Sequence, residues 1–364
     1  MPTAPFHEQV IADDVASWAT EQGLASRRDR WGNVVLDWPG DPLHGAGAWC
    51  LAAHLDHPGF VLRRAEGSVA WAEFLGGVRE EFFVGGRVAF FDGERVTRGV
   101  IRNMTMPPSQ GEGFPLAEIE LSEAVALSVG AVGMWDFPAM RVRGETLSSR
   151  ACDDLVGCAA VLCAMRRIVE ARWPHRVLAL LTRAEEVGFV GALAACEAGT
   201  VPPGALVISI ETSKAQSAAP LGGGAVVRVG DAACTFDPAV TAMLSATAAA
   251  LAKEDESLQP PRSALQPPRS GFRWSRQLMP GGVCEATAFQ TRGFRVGGVC
   301  LPLANYHNMG PNGKIAPERV NLRDFDAVVR LLTALAKQPP DPSAVQERLT
   351  HRLDDILTRH RQRL

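Results

Sequence analysis

Residues 176–192 read RVLALLTRAEEVGFVGA: an apolar run, a short polar turn, Glu185 and Glu186 side by side, and then Gly188. A short apolar run bounded by a turn and a glycine reads as a buried strand. The segment that follows, VGALAACEAG (190–199), has helical character and ends in glycine. The stretch is therefore a strand feeding a helix, with two adjacent carboxylates at the joint. Such neighbours repel each other, and burial raises the cost. On a solvated turn they mean little. In a cleft they need a positive partner.

The same alternation recurs on both sides. HEQVIADDVASWATEQG (7–23) reads as an opening helix, NVVLDW (33–38) and GAWCLAAHLD (47–56) as strands, and the second is apolar enough to be central. DLVGCAAVLCAMRRIVEA (154–171) is a helix and GALVISIE (204–211) a strand. Strands and helices alternating at this spacing predict an α/β domain built on a doubly wound, mostly parallel sheet. Between them the texture changes. VAWAEFL (69–75), GRVAFF (86–91), RVTRGVI (95–101) and AEIEL (117–121) are short strands separated by Gly, Asp-Gly and Pro-Pro, which predicts hairpins. The expected organisation is an α/β domain at 1–61 and 141–364 interrupted by a β-barrel-like domain at 62–140. LQPPRS occurs twice, at 258–263 and 265–270, and its prolines predict a duplicated surface loop. Residues 342–364 place Val345, Leu349, Leu353, Ile356 and Leu357 on one face of a terminal amphipathic helix.

Composition excludes several classes. A formal net charge of −3 gives no electrostatic case for nucleic acid or an anionic membrane. The longest apolar runs are shorter than the roughly 18–20 residues of a membrane span. The N-terminus lacks the basic and apolar regions of a signal peptide. Eight scattered cysteines without a CxxC pair suggest reduced thiols rather than a disulfide framework or a zinc–thiolate site, and hence the cytoplasm.

Open sheets of this class bind ligands beyond the carboxyl ends of their strands. The polar residues expected there are His54 and Asp56, Asp153 and Asp154 at a helix entrance, Glu185 and Glu186, Glu211, and His307. Singly each is ordinary: a strand-end histidine is usually structural, Asp-Asp before a helix is usually a cap, and Glu-Glu is usually a solvated face. Two imidazoles and several carboxylates on one rim instead suit a pair of divalent ions bridged by a carboxylate.

That order of motifs, with DRWGNVV (29–35), HLDHPGF (54–60), SRACDDLVGCAAVL (149–162), TRAEEVGFVGA (182–192), GGVCEATAF (281–289) and YHN (306–308), resembles the co-catalytic metallopeptidases of the M42, M20 and M28 types. The likeness is greatest to the M42 glutamyl and deblocking aminopeptidases, over about residues 5–336. The resemblance implies a zinc-peptidase-like fold and removal of N-terminal amino acids from short peptides by a two-metal-activated water. It implies two divalent ions per subunit, zinc foremost, with cobalt or manganese as alternatives. By position, His54 would bind one ion and His307 the other, with Asp153 bridging. Glu186 and Glu211 would complete the two shells, in an order left open. Asp56 would orient His54, Glu185 would be the general base, and the Asp153–Asp154 peptide would be cis. The resemblance further implies a large homo-oligomer, with the β insert restricting the cleft or mediating assembly. Substrate-binding residues remain unknown from the sequence. Four positions depart from the family pattern: Glu211 where Asp is usual, His57 and Pro58 where Glu-Val is common, and Asn308 where Ser is usual. Two other readings stand beside the aminopeptidase: a di-metal amidohydrolase acting on a non-peptide or N-acyl amino acid substrate, and a non-catalytic metal-binding descendant. An intact Glu185 counts against the last.

Overall fold

The computed structural model describes residues 1–41, 43, 47–107, 113–257 and 271–363. The LQPPRS pair lies outside them. The main sheet has eight strands in the order Ala25–Arg28, Val34–Trp38, Arg176–Thr182, Ala48–His54, Leu206–Lys214, Arg295–Leu303, Ala225–Gly230 and Trp274–Leu278. The four strands in the middle of this order that begin at Arg176, Ala48, Leu206 and Arg295 run parallel. Their carboxyl ends therefore share one edge of the sheet. Antiparallel pairings flank them on both sides.

Parallel strands need crossover connections, and these cover both sheet faces. Side chains of successive residues accordingly divide between two cores. Trp49, Leu51, Ala53, Val177, Ala179, Leu181, Ile208 and Ile210 pack against the helices Gln9–Glu21, Leu155–Ala171, Pro238–Ser257 and Leu322–Ala336. Cys50, Ala52, Leu178, Leu180 and Val207 pack on the opposite side, against Val190–Glu197 and Glu285–Thr291. This is a doubly wound α/β sheet with two helical layers, the expected class.

Beyond His54 the chain leaves the sheet and forms a closed antiparallel barrel from the strands Gly59–Glu66, Val69–Leu75, Leu116–Leu121, Arg95–Thr105, Arg87–Asp92 and Val132–Trp135. Closure removes the unpaired edges that a short antiparallel sheet otherwise exposes. Its interior is aromatic: Phe60 stands edge-on to Phe74 and Trp135, with ring centroids 4.9 and 5.1 Å away. Gly133 is required in the wall, because a Cβ there would lie 2.8 Å from the Phe90 ring. A three-stranded sheet of Met140–Arg143, Thr146–Ser149 and Glu318–Asn321 then leads the chain to Asp153. The terminal helix Ser343–His360 leaves Leu349, Leu353, Ile356 and Leu357 exposed, while Val345 packs against the main core. Among the described residues, no helix is long and apolar enough to cross a membrane.

Candidate metal centre

His54 is the last residue of its strand, and Thr182, the last of the neighbouring strand, lies opposite it in register. The stretch after Thr182 turns sharply. Ala184 has φ +51° and Phe189 φ +59°, conformations that cost a non-glycine residue energy and cluster at functional sites. The turn stays tight because Gly191 brings the next helix onto the strand exit, where a Cβ would lie 2.3 Å from the Arg183 carbonyl oxygen. Two buried acids hold the turn. Glu8 accepts from the Ala184 N–H at 2.9 Å and from Arg183 Nε at 2.7 Å. Asp56 accepts from the backbone N–H groups of Glu185 and Glu186, each at 3.0 Å. The carboxylate two residues beyond His54 thus fixes the paired glutamates to the histidine strand, and its Oδ1 also lies 3.5 Å from His54 Nδ1.

All the candidate residues from the sequence meet at the carboxyl edge of the parallel strands. His54 Nε2 lies 3.5 Å from Asp153 Oδ1, 3.6 Å from Glu211 Oε1 and 3.9 Å from Glu185 Oε2. His307 Nε2 lies 3.6 Å from Asp153 Oδ2 and 3.1 Å from Glu186 Oε2. One carboxylate therefore presents its two oxygens to two different imidazoles. Both rings are oriented through Nδ1, which faces a backbone carbonyl: that of Asp56 at 3.2 Å for His54, and that of Gly77 at 2.6 Å for His307. Carbonyls only accept, so each Nδ1 carries the proton and each Nε2 is left to the centre. Gly77 belongs to the barrel segment, so the insert takes part in placing His307. The Asp153–Asp154 peptide is cis.

The electrostatics are those of crowded, buried carboxylates. Burial, reinforced by the charge of Glu211, pushes Asp153 well above the usual carboxylate range. Burial also raises Glu185 well above it, with Glu211 and Glu186 adding to the shift against the opposing pull of His54. For His307, burial lowers the pKa, but the charge and hydrogen bond of Glu186 outweigh it and carry the ring to about 10. His54 likewise rises well above its ordinary value despite burial, chiefly through Glu185. Glu186 Oε1 and both carboxylate oxygens of Asp154 are buried without a hydrogen-bond partner. Buried anions left in this state call for a cation. The His and carboxylate donors form groups whose ligand atoms lie within 4.8 Å of one another, among them Asp153–Glu186–His307 and His54–Asp154–Glu211. Oxygen and imidazole donors in such clusters suit divalent ions of the zinc, cobalt and manganese kind. The residues present fit a bound metal.

A consequence is open to titration. Without a cation, His307 holds its proton up to a pH of about 10, and binding a metal requires the neutral ring. Loading the metal-free protein at pH 7 is therefore expected to release protons, about one for each imidazole, and metal affinity is expected to fall as pH is lowered from about 10. A weakly buffered titration with a pH indicator measures this. Metal uptake without proton release would remove the two histidines from the site.

Sequence reasoning missed several residues that shape the centre. Glu318, fully buried, accepts from the N–H groups of Cys152 at 2.6 Å, Asp153 at 3.0 Å and His307 at 2.8 Å. It stands in IAPERVN (315–321), where nothing in the pattern marks it. Glu285 is buried beside Thr182, whose hydroxyl donates to it at 2.5 Å, and burial raises it to about 7. Arg228 is buried, with Nε and Nη1 unpartnered. With Lys214, Gln216 and Met279 it lines a cavity of about 270 Å³ that has His54, Asp153, Glu185, Glu186, Glu211 and His307 in its wall.

Comparison with known proteins bears on the fold and the family. A search of curated proteins returned no match. Among solved structures, the chain is similar to an aminopeptidase from the archaeon Desulfurococcus kamchatkensis, with 22% identity, a TM-score of 0.73, and coverage of 94% of this chain and 93% of that one. It is similar to the TET1 peptidase of Pyrococcus horikoshii, described as able to assemble into a tetrahedron or a large octahedral shell, at 18% identity and a TM-score of 0.71, covering 92% and 96% of the two chains. A TET aminopeptidase from a marine sediment archaeon of the Thaumarchaeota shares 17% identity, with a TM-score of 0.73 and coverage of 93% and 94%. At these identities the likeness is one of fold. The family is given by the sequence itself: the model of the M42 glutamyl aminopeptidases matches residues 32–252, more than half of the chain. This protein therefore belongs to the M42 glutamyl aminopeptidase family and is a metalloaminopeptidase.

Proposed function

We propose that the protein removes N-terminal amino acids from short peptides with two divalent metal ions, zinc foremost, and with Glu185 as general base. The observation that carries the reading is the single carboxylate of Asp153, whose oxygens lie 3.5 and 3.6 Å from the two histidines. His54, Asp153 and Glu211 would hold one ion; His307, Asp153 and Glu186 the other. Two ions bound there supply Lewis acidity, polarising a peptide carbonyl and acidifying water. Glu185, held by Asp56 through its backbone and with its Oε2 3.9 Å from His54 Nε2, takes the proton from the attacking water and delivers it to the leaving amine. Burial raises its pKa above the ordinary carboxylate range, the direction that makes a carboxylate a stronger base.

The barrel, whose strands run from Gly59 to Trp135, serves as lid and assembly domain, a role supported by the Gly77 contact to His307 and by the assembled state of the Pyrococcus horikoshii neighbour. We place the protein in a homo-oligomer and, from its eight unpaired cysteines, in a reducing compartment such as the cytoplasm. The test is a panel of aminoacyl anilides and N-acyl amino acids on protein loaded with zinc, cobalt or manganese, with metal content and light scattering on the same preparation. Turnover of the free-amine substrates alone is expected, by a multimer carrying two ions per chain. Turnover restricted to N-acyl substrates would transfer the protein to the deacylase reading. A strict monomer would end the assembly proposal.

A further inference from the structure

His57 and Asn308 are both fully buried. They come from segments 251 residues apart and meet directly behind the candidate metal ligands. His57 Nδ1 lies 2.6 Å from the backbone carbonyl oxygen of Asp153, and its Nε2 lies 3.0 Å from Asn308 Oδ1. The Asn308 amide has a second partner on its other side, the Ala316 carbonyl, 3.3 Å from Nδ2. His57 Nδ1 faces a carbonyl, which only accepts, so a neutral ring donates there and offers Nε2 to the Asn308 amide, whose NH2 end can donate to it. Both nitrogens of His57 therefore have a polar partner. One end of the ring holds the peptide of Asp153; the other holds the residue next to His307. Asn308 has φ +62° and His307 φ +53°, a left-handed pair that needs outside support.

We infer that His57 and Asn308 are a positioning pair, a buried tie that sets the separation of Asp153 from His307 and hence the affinity for the ion held between them. The inference rests on the two-metal reading of the site. Groups that orient ligands from behind typically change metal affinity by about 10- to 100-fold when removed. Neither side chain touches a reacting atom.

The test uses the metal-free full-length protein and cobalt. Wild type, His57→Ala, Asn308→Ala and the double variant are titrated with cobalt and separately unfolded in urea without metal. Each single variant is expected to weaken one of two cobalt-binding steps by about 10- to 100-fold, with the double variant no worse than the weaker single. Such non-additivity is the mark of two residues acting through one contact. Two conservative variants separate position from bulk. His57→Asn keeps a donor near the Nδ1 position and is expected to retain the Asp153 contact alone, and His57→Gln to retain the Asn308 contact alone. Each is expected to bind cobalt more tightly than His57→Ala and less tightly than wild type. Singles that bind both ions like wild type would overturn the pair, and so would effects that simply add in both measurements. Wild type that binds no cobalt would overturn the two-metal reading instead, and the urea cycle would still decide whether the tie exists.

Discussion

Replacing Glu185 with Gln is expected to lower turnover by about 10²- to 10⁴-fold, the range general-base catalysis supplies, while both metal ions stay bound. Gln has the same shape but cannot accept the proton. The turn should survive, because Asp56 holds it by the backbone N–H groups of residues 185 and 186, which the substitution leaves in place. Glu185 Oε2 lies 3.9 Å from His54 Nε2, near the centre but farther from that ring than the oxygens of Asp153 and Glu211. Loss of turnover with intact metal content identifies a proton carrier. Near-full activity would mean that a different group moves the proton, and Glu186, with an unpartnered Oε1, would be the next to test.

Asp153→Asn is expected to be worse, with metal content falling at both sites and activity lost beyond the effect of Glu185→Gln. Its two carboxylate oxygens face the two imidazoles separately, so removing its charge weakens both shells at once. Glu186→Gln provides the comparison. Glu186 lies 3.1 Å from His307 Nε2, and no ion pair with His54 is among its described contacts, so that variant should lose one ion and keep the other. Metal analysis of the three variants after dialysis against a chelator separates the cases. Two ions retained by Asp153→Asn would show that the carboxylate is not shared.

The central sheet was legible because its strands are buried on both faces and read as plain apolar runs: WCLAA, VLALL and LVISI each announce a parallel strand. The candidate ligands were legible for a related reason. A strand that is apolar throughout makes the first polar residue at its end conspicuous, and a sheet of this topology gathers those ends on one edge. What holds the ligands was not legible. The partners of Asp56 are backbone N–H groups 129 and 130 residues away in the chain, and the orienting acceptor of His307 is the carbonyl of Gly77; main-chain atoms leave no trace in residue identity. Glu318 was hidden differently. It sits in a short strand of a minor sheet with no apolar periodicity around it, so its three contacts arise only from tertiary proximity. Asp56 itself was expected to orient His54, and its side chain is closer to the backbone of Glu185 and Glu186 than to the histidine ring.

Inserted domains are often treated as cassettes, joined to their host at two chain crossings and exchangeable between relatives. The carbonyl of Gly77 makes this insert a poor cassette. Any graft that swaps the barrel also swaps the acceptor that orients the His307 ring, so under the proposed metal assignment a chimera is expected to take on a metal affinity set by the donor's loop. No side-chain substitution at position 77 can delete that acceptor, since every residue carries one; only a change in how the loop lies can move it. Under the proposed assignment, a change in the loop at Gly77 is expected to alter the site through the His307 ring.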